Sequence, residues 1–114
     1  MTVLSDLAAL VPDARDRLKG VARITPVELN QRLTEDTGSE VWLKREDLQP
    51  VRSYKLRGAY NLISQLPPEA RDAGVVCASA GNHGQGVAFA AATLGIGAVV
   101  YVPTTNLTDR KSVV

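Results

Sequence analysis

Residues 75–102 read VVCASAGNHGQGVAFAAATLGIGAVVYV. The run divides into an apolar strand (Val75 to Ala78), a turn of small and polar residues (Ser79 to Asn82), and a helix through Leu94 that Gly95 and Gly97 close. A second apolar strand follows from Ala98 to Val102, bounded by Pro103. Both strands are continuously apolar rather than alternating, as expected for parallel strands covered on both faces. A helix between two such strands is a crossover connection. Upstream, Ser53 to Leu66 has helical periodicity and stops at Pro67-Pro68, and Val41-Trp42-Leu43 reads as a further strand. The order strand, helix, strand, helix, strand predicts an α/β fold, a parallel sheet with helical crossovers. Right-handed crossovers carry the turns at Ser53 and Ser79 to one sheet edge, where ligands of open α/β sheets bind.

Nearer the N-terminus, Thr25-Pro26 has the form of a cap and first helical position, opening a helix through about Asp36 that Gly38 ends. Val3 to Lys19 reads as a helix with Ser5 as a possible cap and Gly20 as its stop; Pro12 makes it two short helices or one kinked one.

The chain has 114 residues, enough for one domain or part of one. Thirteen Lys and Arg against twelve Asp and Glu leave a net charge of +1, which argues against a nucleic-acid surface. One Cys and one His cannot form a Cys/His zinc site or an internal disulfide. No basic stretch precedes an apolar run at the N-terminus, and no apolar stretch approaches the ~20 residues that span a bilayer. A cytoplasmic protein is expected.

Two features point to chemistry. On a helix from Ser53 at about 100° per residue, Leu56, Ala59, Tyr60, Leu62, Ile63 and Leu66 share one arc, and Lys55 lies inside it. A lysine on a buried face either snorkels to water or is held neutral for Schiff-base chemistry. The second feature is the turn Ser79-Ala80-Gly81-Asn82-His83-Gly84-Gln85-Gly86. Its glycines let backbone approach a ligand, and N–H groups at a helix start suit a carboxylate. It matches neither the dinucleotide fingerprint nor a P-loop, and alone it equally describes an ordinary tight connection. Cys77 and Trp42 read as packing residues, with a domain contact as the other reading of Trp42. Ala88, Ala91 and Ala92 suggest a helix close on the sheet, and Lys44 to Asp47 a solvated loop.

Together, Lys44-Arg45-Glu46-Asp47-Leu48-Gln49, then Ser53-Tyr54-Lys55-Leu56-Arg57-Gly58-Ala59, then Ser79-Ala80-Gly81-Asn82-His83 resemble the fold-type II (tryptophan synthase β-like) pyridoxal-phosphate enzymes, and within them the biosynthetic threonine ammonia-lyase branch. The resemblance runs from about Ile24 to Pro103. It implies pyridoxal 5′-phosphate as cofactor, threonine or serine as substrate, and a homo-oligomeric parent enzyme. Lys55 matches the lysine that bonds the cofactor and moves the Cα proton, and Asn82 the asparagine that hydrogen-bonds the ring's phenolic oxygen. Ser79, Ala80, Gly81, Asn82 and His83 match the loop around the substrate carboxylate. Val51-Arg52 stands where catabolic relatives more often carry Thr-Gly. Ala80 replaces the serine that racemases use as an acid, which disfavours two-sided proton transfer. The rivals are a serine dehydratase or racemase, and an α/β module without catalysis.

The expected layout is residues 1–52 as an N-terminal segment of the catalytic region, 53–108 as part of the small α/β subdomain, and 109–114 as a non-native tail. The family's later glycine-rich phosphate loop has no counterpart in the sequence, so the chain alone is expected to be inactive. Asp109-Arg110-Lys111-Ser112-Val113-Val114 resembles a translated sequencing adapter running into a stop codon. Resequencing the locus from genomic DNA is expected to replace those six codons; a native stop after Val114 would contradict this.

Overall fold

The computed structural model describes residues 3–104, and the expected tail at 109–114 lies outside them. The elements in order are α1 (Val3–Arg17), β1 (Val27–Leu29), α2 (Gln31–Thr37), β2 (Trp42–Lys44), a 3₁₀ turn (Glu46–Leu48), α3 (Lys55–Ile63), α4 (Pro68–Ala73), β3 (Val75–Ala78), α5 (Asn82–Leu94) and β4 (Ala98–Tyr101). The strands β3 and β4 pair in parallel, with Val75 opposite Ala98 and Ala78 opposite Tyr101, and α5 is the crossover between them. That is the parallel unit expected from residues 75–102.

The first expected strand behaves differently. It pairs antiparallel with β1 in a separate two-stranded sheet, Val27 opposite Lys44 and Leu29 opposite Trp42, so the parallel sheet has two strands among the described residues and not three. The segment after Thr25-Pro26 is extended because a better cap, Asn30, lies five residues after Thr25. The Asn30 side chain accepts from the Leu33 N–H at 2.9 Å and starts α2 there, while the Thr25 hydroxyl is committed elsewhere, donating to Glu46 Oε1 at 2.6 Å. Gly38, at φ 69°, ends α2 as expected. One helix continues through Pro12. Pro67-Pro68 ends the α3 segment and also opens α4, where a missing N–H costs nothing.

The core is small. Ala59 and Ile63 of α3 pack with Val87, Ala90 and Ala91 of α5 and with Ile96, while Val75 and Cys77 close it from β3. Ala92, grouped by sequence with the packing alanines, is exposed. The other face of the sheet is open among the described residues: Val76 is 68% exposed and Tyr101 65%. Trp42 is 56% exposed, its Nε1 donating to Glu40 Oε2, so it is not core here.

Glycines set how closely α5 lies. A Cβ on Gly84 would come within 3.0 Å of Val100 Cγ1, and a Cβ on Gly86 within 2.9 Å of the Lys55 carbonyl carbon and 3.1 Å of the Leu56 nitrogen. Helix α5 therefore rests on the sheet at Gly84 and on the first turn of α3 at Gly86. Backbone cannot move aside as a side-chain tip can, so Gly86→Ala is expected to cost about 1–3 kcal/mol. Gly58, inside α3, meets nothing within 4 Å. Gly58→Ala is therefore expected to stabilise by about 0.5–1 kcal/mol through reduced backbone entropy. Denaturant titration of both variants checks the pair; equal effects would contradict this packing.

Burial and polar contacts separate the members of the Lys44–Asp47 loop. Arg45 bonds Glu28 at 2.6 Å and both Asp47 oxygens at 2.9 and 2.8 Å on the surface, where such pairs contribute little. Glu46 is not solvated as expected: its side chain is 14% exposed and accepts from Arg57 Nε and Nη2, both at 2.8 Å. The same carboxylate accepts from Thr25 and from Gln49 Nε2. Gln49, 1% exposed, exchanges hydrogen bonds with the Arg23 backbone at 2.9 and 2.8 Å. These bonds tie residues 23–25 and 46–49 to α3.

The Arg57 hydrogen bonds hold the Glu46 carboxyl down from the usual 4.5 to about 2, against the opposing effect of burial. A carboxyl lowered by folding contributes stability that is complete above pH 4.5 and is lost as the pH falls toward 2. Glu46→Gln is expected to unfold about 1–3 kcal/mol more easily at pH 7, with the difference from the native chain shrinking between pH 4.5 and 2. Thermal melts across that range check it; a constant difference would contradict the linkage.

Candidate active-site edge

Lys55 opens α3 and is half-buried, at the rim of the apolar arc and not within it. Leu56, Ala59 and Ile63 of that arc are buried, whereas Leu62 is exposed. The Lys55 Nζ lies 5.0 Å from the centroid of the Tyr54 ring, a separation at which an ammonium is attracted to the ring face. Its backbone N–H points at Ser53 Oγ, 3.4 Å away, and Ser53 is buried. Just before it, Arg52 adopts φ 60°, the left-handed region that a side chain enters at a cost of about 1–2 kcal/mol. Sequence reading noted Arg52 as a departure from Thr-Gly; its backbone angle is one that glycine adopts freely.

The second candidate segment begins at the end of β3. Ser79 Oγ accepts from the Gly81 N–H at 3.1 Å, folding the turn back on itself. Gly81 sits at the N-cap of α5 with no side-chain hydrogen bond. Asn82 and His83 are the first two helical residues, both exposed, and Ala80 is exposed beside them. The first-turn N–H groups of α5 are therefore not capped by the side chain of Gly81, an arrangement suited to an anionic group.

The two segments meet through Gly86. The Lys55 carbonyl occupies the space a side chain at Gly86 would take, and Asn82 lies four residues earlier, on nearly the same face and one turn closer to the helix start. The backbone of the lysine-bearing turn thus packs on the second turn of α5, whose start follows the C-terminal end of β3. Cys77 is partly buried against the core, and burial raises its thiol pKa, which suits packing and not nucleophilic work. Among the described residues no group of three His, Cys, Asp or Glu side chains is placed to hold a metal, and no helix is long and apolar enough to cross a membrane. The Glu46–Gln49–Arg57 network escaped sequence reading. Its only signal was the run of charges, which does not reveal which one turns inward.

Comparison with known proteins agrees with the motif order. The chain is 58% identical over 93 residues to a biosynthetic L-threonine dehydratase of Mycobacterium leprae, covering 82% of this chain and 22% of that protein. It is 54% identical over 104 residues to the corresponding protein of Corynebacterium glutamicum, covering 91% and 24%. Among solved structures, the processed form of threonine deaminase isoform 2 from Solanum lycopersicum superposes with a TM-score of 0.77 at 44% identity, covering 90% of this chain and 30% of that one. Maize serine racemase superposes at 0.76 with 34% identity, covering 83% and 30%. The chain thus spans about a quarter of the length of the curated relatives it matches. The model of the pyridoxal-phosphate dependent enzyme family matches residues 18–113, and this chain belongs to that family.

Proposed function

We propose that this chain forms the N-terminal part of the catalytic region of a biosynthetic threonine ammonia-lyase, which converts L-threonine to 2-oxobutanoate and ammonia in the cytoplasm. The observation that carries the reading is the seat of Gly86 on the Lys55 backbone, since it joins two motifs about 30 residues apart at one edge of the fold.

The residues present fit the family's cofactor. The Lys55 amine lies over the Tyr54 ring and forms no salt bridge with a carboxylate among the described residues, leaving it available for a covalent bond to an aldehyde. Ala80, Asn82 and His83 are exposed at the start of α5, which leaves that end of the helix open to a ligand. When bound, pyridoxal phosphate supplies a sink for the electrons left on Cα after proton removal. Lys55 would hold the ring covalently and, once displaced by the amino acid, move the Cα proton with its amine. Asn82 would donate from its side-chain amide to the ring's phenolic oxygen. In the loop from Ser79 to His83, the backbone N–H groups of Ala80, Asn82 and His83 would hold the substrate carboxylate at the start of α5, while those of Ser79 and Gly81 are engaged by Tyr101 and by the Ser79 hydroxyl. Loss of the β-hydroxyl as water, followed by hydrolysis, gives one 2-oxobutanoate and one ammonia per threonine. Ala80 has no hydroxyl to deliver a proton from the other side, which favours elimination over racemisation.

The test is cofactor addition to a full-length protein carrying this sequence, followed by borohydride reduction and peptide mapping. The label is expected on Lys55, and Lys55→Ala is expected to lower ammonia release from threonine by at least about 10²–10⁴-fold. A label on another lysine, or turnover of serine and not threonine, would overturn the reading. The 114-residue chain alone is expected to release no measurable ammonia.

A further inference from the structure

We infer that Glu46 and Arg57 are positioning residues for Lys55: their paired contacts fix the rotation of α3 about its own axis, and with it the direction in which the lysine amine leaves the helix.

The start of α3 is weakly fixed by its own sequence. Tyr54 occupies the N-cap position in a helical conformation with no side-chain cap, and the Ser53 hydroxyl accepts from the Lys55 N–H at a long 3.4 Å. Two external contacts hold the turn instead. On one side, Gly86 lies against the Lys55 carbonyl. Arg57 lies two residues on, about 200° around the helix and so nearly opposite. Its guanidinium is gripped by both Glu46 oxygens at 2.8 Å and donates to the Arg23 carbonyl at 3.1 Å. One contact would leave the turn free to pivot; two on different faces do not. Glu46 is held in its turn by Thr25 at 2.6 Å and Gln49 at 3.2 Å, and Gln49 is locked to the Arg23 backbone. The arrangement is a planar two-point grip, which a lysine at position 57 would not reproduce.

The leverage is large. An amine about 6 Å from a helix axis moves ~1 Å when the helix turns by ~10°, and a misplacement of ~1 Å costs about 10²-fold in rate.

This inference rests on Lys55 carrying the cofactor. In the full-length protein, Arg57→Lys, Glu46→Gln and Thr25→Val are to be compared by kcat and KM for threonine. Two further readouts are the pH midpoint of the visible absorbance of the lysine-bound cofactor and thermal stability. Arg57→Lys and Glu46→Gln are expected to lower kcat about 10- to 100-fold while KM stays within about 3-fold, and to move the absorbance midpoint by about half a unit or more. Thr25→Val keeps the charge pair and near-native shape, so it remains measurable should the other variants not fold, and it is expected to shift both readouts in the same direction by less. If the folded variants lose thermal stability but keep kcat and the midpoint, the network is only a brace and the inference is overturned. If the unsubstituted protein traps no cofactor on Lys55, the functional reading fails and this inference falls with it; trapping on Lys55 with unmoved kcat sinks the inference alone.

Discussion

A single missing side chain governs the arrangement. With only hydrogen at Cα, Gly86 lets α5 lie directly on the backbone of Lys55 and Leu56, closer than any other residue would permit. That approach brings the start of α5, with Asn82, to the same edge as the turn bearing the lysine. The rest of the core can be modest, a handful of Ala, Val and Ile contacts, because the close packing of two helices supplies the dispersion that larger side chains would otherwise provide.

Polar contacts do the complementary work on the far side of α3. The Glu46 carboxylate ties together three segments that are separate in sequence: residues 23–25, the 3₁₀ turn, and the first turn of α3. Its charge is tolerated at low exposure because four donor bonds converge on it. The neighbouring Arg45–Asp47 pair shows the contrast, being equally short but on the surface and confined to its own loop.

The residues decide how much of this was legible in advance. The β3–α5–β4 unit was readable because continuous apolar runs and glycine stops act locally. The β1–β2 pairing was not, since the choice between a helix at Thr25-Pro26 and one at Asn30 depends on where the Thr25 hydroxyl finds its partner, 21 residues away. Lys55 was singled out by its position in the apolar arc, which left snorkelling and a neutral amine equally readable; its proposed role came only from the resemblance, and the half-buried residue stands at the rim of the arc. Of the loop charges, Asp47 was read correctly as a surface group in a local pair, but Lys44 ends β2 and donates to the Thr25 carbonyl and Arg45 also reaches Glu28. Glu46 was misjudged because inward orientation is set by Arg57 and Gln49, which no periodicity reveals. The open face of the β3–β4 sheet at Val76 and Tyr101 contradicts the two-sided cover expected from its apolar strands, as far as the described residues extend.

The central proposal is that this close helix contact lets the Lys55 amine and the Asn82 amide serve one cofactor. A crystal structure of the full-length protein, with the cofactor reduced onto its lysine, tests it most directly. The account predicts Gly86 in contact with the Lys55 carbonyl and the Asn82 amide about 3 Å from the ring's phenolic oxygen. A structure with Lys55 Nζ in solvent and Asn82 turned away from it would contradict the account.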